Sequence, residues 1–339
     1  MEKEELFGKT LNELKEVVAK LGMAKFVASQ IADWLYKKDI SSINEMRNLS
    51  KKTKALLNEN YTYGTTAPIS VQESNDGTKK YLFETLNGKF IETAYIPELK
   101  RNTVCVSTQV GCKMACEFCM TGRQKFHGNL NAATIVNQIR SLDEWHRISN
   151  IVYMGMGEPM DNLPEVLKSL EIITSDWGLG ISPRRINVST IGLLPNITEF
   201  IQNSDANLAI SLHSPFDNER AELMPIQKAS PIKDVIAELR KYDWSGKRRL
   251  SFEYIVFDGL NHSDLHVKEL AKILNGLKYR INLIRFHNIP DSPLPSSDDE
   301  NMVKFQQKLK AKGIITTIRV SRGQDIDAAC GLLSTKKLL

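Results

Sequence analysis

From about residue 103 onward the chain alternates short apolar runs with amphipathic helical patterns, and no other feature restricts its fold as much. Strand-like segments lie at 103–108, 149–154, 185–190, 207–212, 250–256, 280–286 and 314–320, with helical patterns between them. Ala132, Ile135, Val136 and Ile139 fall on one helical face. So do Ile232, Val235, Ile236 and Leu239, behind Ser230 as cap and Pro231 in the first turn. A strand that returns to its own sheet through a helix lies parallel to its predecessor. The repeat therefore implies an α/β fold with a parallel sheet, either doubly wound or closed toward a barrel; pattern alone does not choose.

Polar and glycine-rich clusters follow the strands: Gly111–Cys119, Gly155–Glu158, Ser189-Thr190, Ser211–His213 and Phe286–Asn288. Ligand sites of parallel α/β folds sit at the carboxyl ends of strands, so five such clusters are expected to converge.

The chain before residue 103 reads differently. Thr10 and Glu13 form a capping box ahead of Leu11, Leu14, Val17 and Val18; a second helix runs from about Lys25 to Lys38, and Ser50 caps a third over Lys51–Asn60. Residues 68–97 switch to strands such as Lys79–Thr85 and Lys89–Ile96, with Asn75-Asp76-Gly77 and Asn87-Gly88 as hairpin turns. The expected division is a helical accessory domain over 1–62, a β-hairpin extension over 63–100, and a core over 101–339 that ends in a cysteine-bearing loop.

No apolar run approaches the roughly 18 residues that a transmembrane helix needs, and the start MEKEELFGKT lacks a signal-peptide layout, so a cytoplasmic protein is expected. A net charge of +5 tolerates a polyanionic partner without requiring one. Candidate RNA contacts are the N-terminal lysines, Arg184, Arg185, Lys247, Arg248 and Arg249; a wet surface explains each equally simply.

Five cysteines in a reducing compartment are not a disulfide framework. Cys112, Cys116 and Cys119 form a C-x3-C-x2-C triad. Three thiolates can hold three irons of a four-iron cluster and leave the fourth open to a small molecule. The competing reading is structural zinc with His127 or a carboxylate as fourth ligand, but zinc sites usually pair two C-x2-C elements and no second pair exists. The triad ahead of β/α repeats resembles the radical S-adenosylmethionine (SAM) superfamily. Gly155-Met-Gly-Glu-Pro159 fits that resemblance, with Glu158 able to accept hydrogen bonds from an ammonium group.

Cys105, inside a strand, and Cys330, in the polar loop Gly323–Gly331, make the match narrower. Together with Glu92-Thr93, Cys105–Cys112, Ser189-Thr190, Ser211-Leu-His213 and Arg322–Gly331, they resemble the RlmN/Cfr family of RNA methyltransferases over essentially the whole chain. Gly157-Glu158-Pro159 and Arg322-Gly323 resemble the RlmN branch; Leu332 departs from the family's usual Gln.

That resemblance implies a partial (β/α)6 TIM-type barrel. It implies a 4Fe-4S cluster on Cys112, Cys116 and Cys119, and SAM contacts from Gly157, Glu158, Ser189, Ser211, Leu212, His213 and Asn288. Cys330 would carry a methyl group, Cys105 would resolve the intermediate through a transient disulfide, and Glu92 would accept a proton. The chemistry follows: a ring carbon of adenine does not attack the SAM methyl group, whereas a thiolate does, and a second SAM starts radical chemistry at the open iron. The implied substrate is carbon 2 of an adenine in 23S ribosomal RNA, with tRNA as a further one; Cfr-type carbon-8 methylation and a non-catalytic, metal-stabilised RNA-binding module are the alternatives. A flavodoxin or ferredoxin as electron donor, no membrane, and a monomer complete the expectation.

Overall fold

The computed structural model describes residues 3–85 and 88–335. Three helices open the chain: α1 (Leu11–Lys20), α2 (Val27–Lys37) and α3 (Lys51–Asn60). The Thr10–Glu13 capping box closes in both directions, and the Ser50 side chain accepts the Thr53 N–H, as the local sequence requires.

One ten-stranded sheet follows: β1 (Ser70–Glu73), β2 (Lys79–Glu84), β3 (Phe90–Glu98), β4 (Arg101–Cys105), β5 (Asn150–Tyr153), β6 (Ile186–Thr190), β7 (Asn207–Ser211), β8 (Leu250–Val256), β9 (Tyr279–Arg285) and β10 (Thr316–Ile318). The spatial order equals the chain order. β1 to β4 pair antiparallel, and β4 to β10 pair parallel. The turn at Asn75–Gly77 joins β1 to β2; of the second turn, Asn87 lies outside the described residues.

The helices α4 (Ala132–Arg140), α5 (Leu163–Thr174), α6 (Asn196–Asn203), α7 (Asp217–Leu223), α8 (Ile232–Leu239), α9 (Asp264–Ile273) and α10 (Asp299–Ala311) fill the crossovers. A doubly wound sheet must reverse its strand order somewhere. Here every step from β4 to β10 goes the same way, and right-handed crossovers then put all helices on one face. The result is a curled sheet of six β/α units with a seventh strand and two open edges, a partial barrel.

The two faces differ as that geometry demands. Val104, Ile151, Ile186, Leu208, Leu250 and Ile281 face the helices and are fully buried or nearly so. The other face carries Cys105, Ser189, Ser211, Glu253 and Asn282, and register keeps them together: Cys105 beside Val152, Ser211 beside Glu253, Glu253 beside Asn282. The hairpin extends this concave face, because Ala94 pairs with Cys105 and Glu92 stands two residues back on the same side.

The N-terminal helices pack on the barrel through the Tyr36–Trp177 ring contact at 5.8 Å, a Lys168–Glu13 ion pair at 2.6 Å, and Arg140, which donates to the Lys38 carbonyl. One cap expectation fails. Pro231, not Ser230, takes the cap position of α8; the Ser230 hydroxyl donates to the Gly192 carbonyl at 2.6 Å instead, and Gln227 Oε1 accepts the Ile232 N–H at 3.0 Å.

Candidate functional site

The clusters expected at strand ends do meet at the carboxyl end of the sheet. β4 stops at Cys105, and the chain runs on through Cys112, Cys116 and Cys119 in a loop. A second apolar cluster encloses that loop, separate from the main core: Cys116 and Met120 pack with Ile191, Met224, Phe257 and Phe286. The Phe118 ring stands edge-on to His213 with centroids 4.6 Å apart, which brings the triad loop onto the end of β7.

Burial pushes the Cys112 thiol up to about 12 and the Cys116 thiol well above its ordinary value; the triad's own neighbours add to both, Cys119 on Cys112 and Cys119 with Cys112 on Cys116. Three thiolates cannot share so dry a site unless positive charge joins them, and the irons of a cluster would supply it. N–H donors are already aimed at sulfur: Met114 at Cys112, and Thr121 with Gly122 at Cys119. Among the described residues no three His, Cys, Asp or Glu side chains gather closely enough for one metal ion, and His127 is exposed. A cluster asks less of the three cysteines than a single zinc would, because each corner iron needs only one of them.

Gly155–Glu158 follows β5 and is bound to the stretch after β4: the Met156 N–H donates to Ser107 Oγ at 2.8 Å and the Glu158 N–H to Gln109 Oε1 at 2.9 Å. Gly157 has φ +97°, and a Cβ there would lie 2.5 Å from the Gln109 side chain. Its lack of a side chain therefore lets the turn close on Gln109. Glu158 is buried and bridges two strand ends, Oε1 accepting from the Met160 N–H at 3.0 Å and Oε2 from the Ile191 N–H at 3.0 Å. Burial pushes its carboxyl up to about 7. The Thr190 hydroxyl is a third donor to this carboxylate, which leaves one lone pair for a further one.

Ser189 and Ser211 end β6 and β7 on the concave face, half-buried; Leu212 is fully buried behind them. His213 is buried at φ +56°, a strained value for a non-glycine residue. Its Nδ1 accepts the Ile255 N–H at 2.9 Å, so Nε2 carries the hydrogen, and burial, helped by the Arg220 charge, lowers it to about 3. The ring is neutral. Asn288 stands beyond β9, exposed.

Cys105 is buried and Cys330 is exposed, and surrounding protein raises the thiol of Cys330. Burial, with Cys330 adding to it, pushes Cys105 up to about 12; the Met154 N–H and the Arg319 guanidinium oppose that. Arg319 acts on both thiols and is held by Glu253 at 3.3 Å, itself buried and bound by Asn282 at 2.8 Å. Glu92 lies on the hairpin with Oε1 3.3 Å from Lys80 Nζ, both side chains buried, and burial raises its carboxyl. Gln138 fixes this strand against the stretch after Cys105, accepting from Thr93 Oγ1 at 2.7 Å and the Ser107 N–H at 2.8 Å.

The loop bearing Cys330 is fastened on three sides. Asp325 accepts from Ser74 Oγ at 2.5 Å and the Asn75 N–H at 3.1 Å, while Asp76 accepts the Gly323 N–H at 2.9 Å. The Met120 N–H donates to the Gly331 carbonyl at 2.8 Å, and Thr121 Oγ1 to that of Leu333 at 2.7 Å. The Ser334 N–H donates to Glu92 Oε2 at 2.7 Å. Leu332 belongs to the apolar cluster around the triad.

The basic residues singled out in the sequence fall elsewhere. Arg184 and Arg185 precede β6, and Lys247, Arg248 and Arg249 precede β8, so they mark the amino ends of the strands, opposite the cysteines. Arg248 is tied down as well, donating to the Ile201 carbonyl at 2.9 Å. Charge alone carries no information about which end of a sheet it will occupy. No helix among the described residues is long and apolar enough to cross a membrane.

Two family models match the chain: the radical SAM superfamily over residues 106–271, and the ribosomal RNA large subunit methyltransferase N-terminal domain over residues 4–62. A probable dual-specificity RNA methyltransferase RlmN from Bacteroides thetaiotaomicron is 54% identical over 337 residues, covering 99% of this chain and 98% of that protein. The dual-specificity RNA methyltransferase RlmN of Syntrophus aciditrophicus is 43% identical, covering 97% and 96%. Among solved structures, a radical SAM methyltransferase from Sphaerobacter thermophilus superimposes with TM-score 0.91 at 38% identity, covering 97% of this chain and 99% of that one. Fold, cysteine site and full-length similarity agree: the chain belongs to the RlmN family of radical SAM RNA methyltransferases.

Proposed function

We propose that this enzyme methylates carbon 2 of an adenine in 23S ribosomal RNA, and of an adenine in tRNA, through a methyl group carried on Cys330. One observation carries the reading: an accessible thiol, Cys330, and a buried one, Cys105, lie within electrostatic reach of each other and of one cation, Arg319. The relatives' names supply the RNA class and the dual specificity.

The 4Fe-4S cluster would sit on Cys112, Cys116 and Cys119, and with bound SAM it supplies one-electron chemistry at the open iron. The chain's own residues do the rest. Arg319 favours the thiolate of Cys330, which takes a methyl from SAM by displacement: the new S–C bond forms as the sulfonium S–C bond breaks and S-adenosylhomocysteine leaves. A further SAM is consumed in the radical step, making two per turnover. Glu92, its carboxyl raised by burial, accepts the proton from the ring carbon. The Cys105 thiolate then attacks the Cys330 sulfur; the S–S bond forms as the sulfur–carbon bond to the base breaks, and the released carbon keeps the electron pair and takes up a proton to become the methyl group. Glu158, Ser189, Ser211, Leu212, His213, Gly157 and Asn288, ranged along neighbouring strand ends, would hold SAM. The target base must leave its stack to enter a concave site, at a cost of a few kcal/mol, which favours loop adenines. A low-potential flavodoxin or ferredoxin as donor and a monomer at work in the cytoplasm complete the proposal.

The test is anaerobic, cluster-reconstituted enzyme with protein-free ribosomal RNA and tRNA, followed by nucleoside mass spectrometry. Formation of 2-methyladenosine is expected; 8-methyladenosine instead would move the enzyme to Cfr chemistry. Cys105→Ala is expected to trap RNA covalently on the protein, and Cys330→Ala to abolish both adduct and product. Product formation by Cys330→Ala would overturn the mechanism.

A further inference from the structure

Arg220 lies on α7 and is fully buried, a costly position for a guanidinium. Its hydrogen bonds go to neutral oxygens alone: Nη1 to Gln227 Oε1 at 2.5 Å, and Nη2 to the Ile191 carbonyl at 2.8 Å and the Ser211 carbonyl at 3.0 Å. Nε has no partner. Among the described residues no carboxylate lies within ion-pair distance; Asp217 acts on the guanidinium from farther off and is linked to it through Gln227 Nε2, which donates to Asp217 Oδ1 at 2.9 Å.

The charge therefore has no direct ion pair, and its surroundings say what would match it. α7 packs on the triad loop: the Glu117 N–H, next to Cys116, donates to the Leu223 carbonyl at 3.0 Å, and Leu223 and Met224 share the apolar cluster with Cys116. Arg220 lies three residues before Leu223 and four before Met224, on the helical face that meets the triad loop. A four-iron cluster on three thiolates is anionic, and accepting one electron adds one negative charge with no proton taken up. Net charge nearby is among the factors that set the potential of such clusters.

We infer that Arg220 is the built-in countercharge of the cluster, a positioning residue that favours its reduced state and so eases the electron transfer on which SAM cleavage depends. This rests on the triad holding a cluster, which iron content and the visible absorption of the wild-type protein check independently.

The experiment is a dithionite titration of full-length, reconstituted protein without SAM, followed by electron paramagnetic resonance, on wild type, Arg220→Gln, Arg220→Lys and Gln227→Glu. Arg220→Gln should shift the midpoint negative, so that at the wild-type midpoint its reduced-to-oxidised ratio falls about tenfold, the scale of one nearby unit charge in a protein interior. Arg220→Lys should stay near wild type. Gln227→Glu keeps the arginine and sets a carboxylate against it, so it should shift negative too; it decides the matter if Arg220→Gln does not fold. An unshifted midpoint in Arg220→Gln, or in Gln227→Glu where that variant must decide, would reduce Arg220 to a strut between β6 and β7 and overturn the inference.

Discussion

The Ser334 N–H donates to Glu92 Oε2 at 2.7 Å, joining the hairpin strand to the segment just past Cys330. The other carboxylate oxygen faces Lys80 Nζ at 3.3 Å. Each oxygen of the carboxylate proposed to take the ring proton thus has one partner while the Cys330 loop is docked, so that loop and Lys80 fix its position and leave a lone pair on each oxygen.

Lys80 should control the protonation of Glu92. Burial already raises the Glu92 carboxyl, and Lys80 opposes the rise. In Lys80→Met the value climbs further, so the acid limb of the rate–pH profile for methyl transfer should move to higher pH. A raised carboxyl value means stability that is present at low pH and lost as pH rises, so this variant should melt lower at pH 8 than at pH 6. Breaking a buried pair from one side costs about 3–5 kcal/mol, less whatever protonation recovers. An unmoved acid limb would mean that Glu92 is not the base.

The hairpin turn should govern how firmly the Cys330 loop is held. Burial pushes the Asp76 carboxyl up, but hydrogen bonds from Thr78 and Gly323 bring it down to about 2. The stability this contributes is present above the ordinary value of 3.8 and lost as pH falls through about 2, so it is complete at neutral pH. Asp76→Asn should speed hydrogen exchange across residues 323–335 roughly five- to tenfold, the scale of one charge-assisted hydrogen bond, while iron content stays unchanged. Unchanged exchange would show that the contacts to Met120, Thr121 and Glu92 suffice alone.

Gly157→Ala tests the strand-end turn. A Cβ at φ +97° and 2.5 Å from Gln109 must displace the side chain that receives the Glu158 N–H. A loss of about 2–4 kcal/mol is expected from strain and overpacking together, read as a lower Tm with weakened SAM binding. A variant with wild-type Tm would show that the turn relaxes freely.

What could be read from the chain follows the range of the interactions. The Thr10 box, the Ser50 cap, the seven parallel strands and the cysteine triad each depend on neighbours within a few residues, so the sequence shows them directly. Ser230 was misread because capping is also a local rule, and here the distant Gly192 carbonyl won the hydroxyl. Lys80, Gln138, Arg220 and the Glu253–Arg319 pair left no signal, because they matter only once strands far apart in the chain lie side by side. Arg220 sits in the stretch DNERAEL, which reads as a wet helix; it is buried against the ends of β6 and β7 and the turn that holds Gln227. The choice of a curled over a doubly wound sheet rests on strand order, which no periodicity encodes.

Glu158 offers the sharpest pH test of the SAM site. Its carboxyl stands at about 7 in the folded chain against an ordinary 4.5, so the folded state holds the proton more tightly than the unfolded one. The stability this contributes is complete below 4.5 and disappears as pH rises through about 7, a loss of roughly 2–3 kcal/mol. Thermal melts of SAM-free protein between pH 6 and pH 8 should slope downward accordingly. Glu158→Gln mimics the protonated carboxyl and should remove that component of the slope. Saturating SAM should remove it too, because an ammonium beside the carboxylate favours its charged form and draws the value back down. If SAM leaves the slope of the wild-type protein untouched while still binding, Glu158 clamps β5 to β6 without touching the cosubstrate.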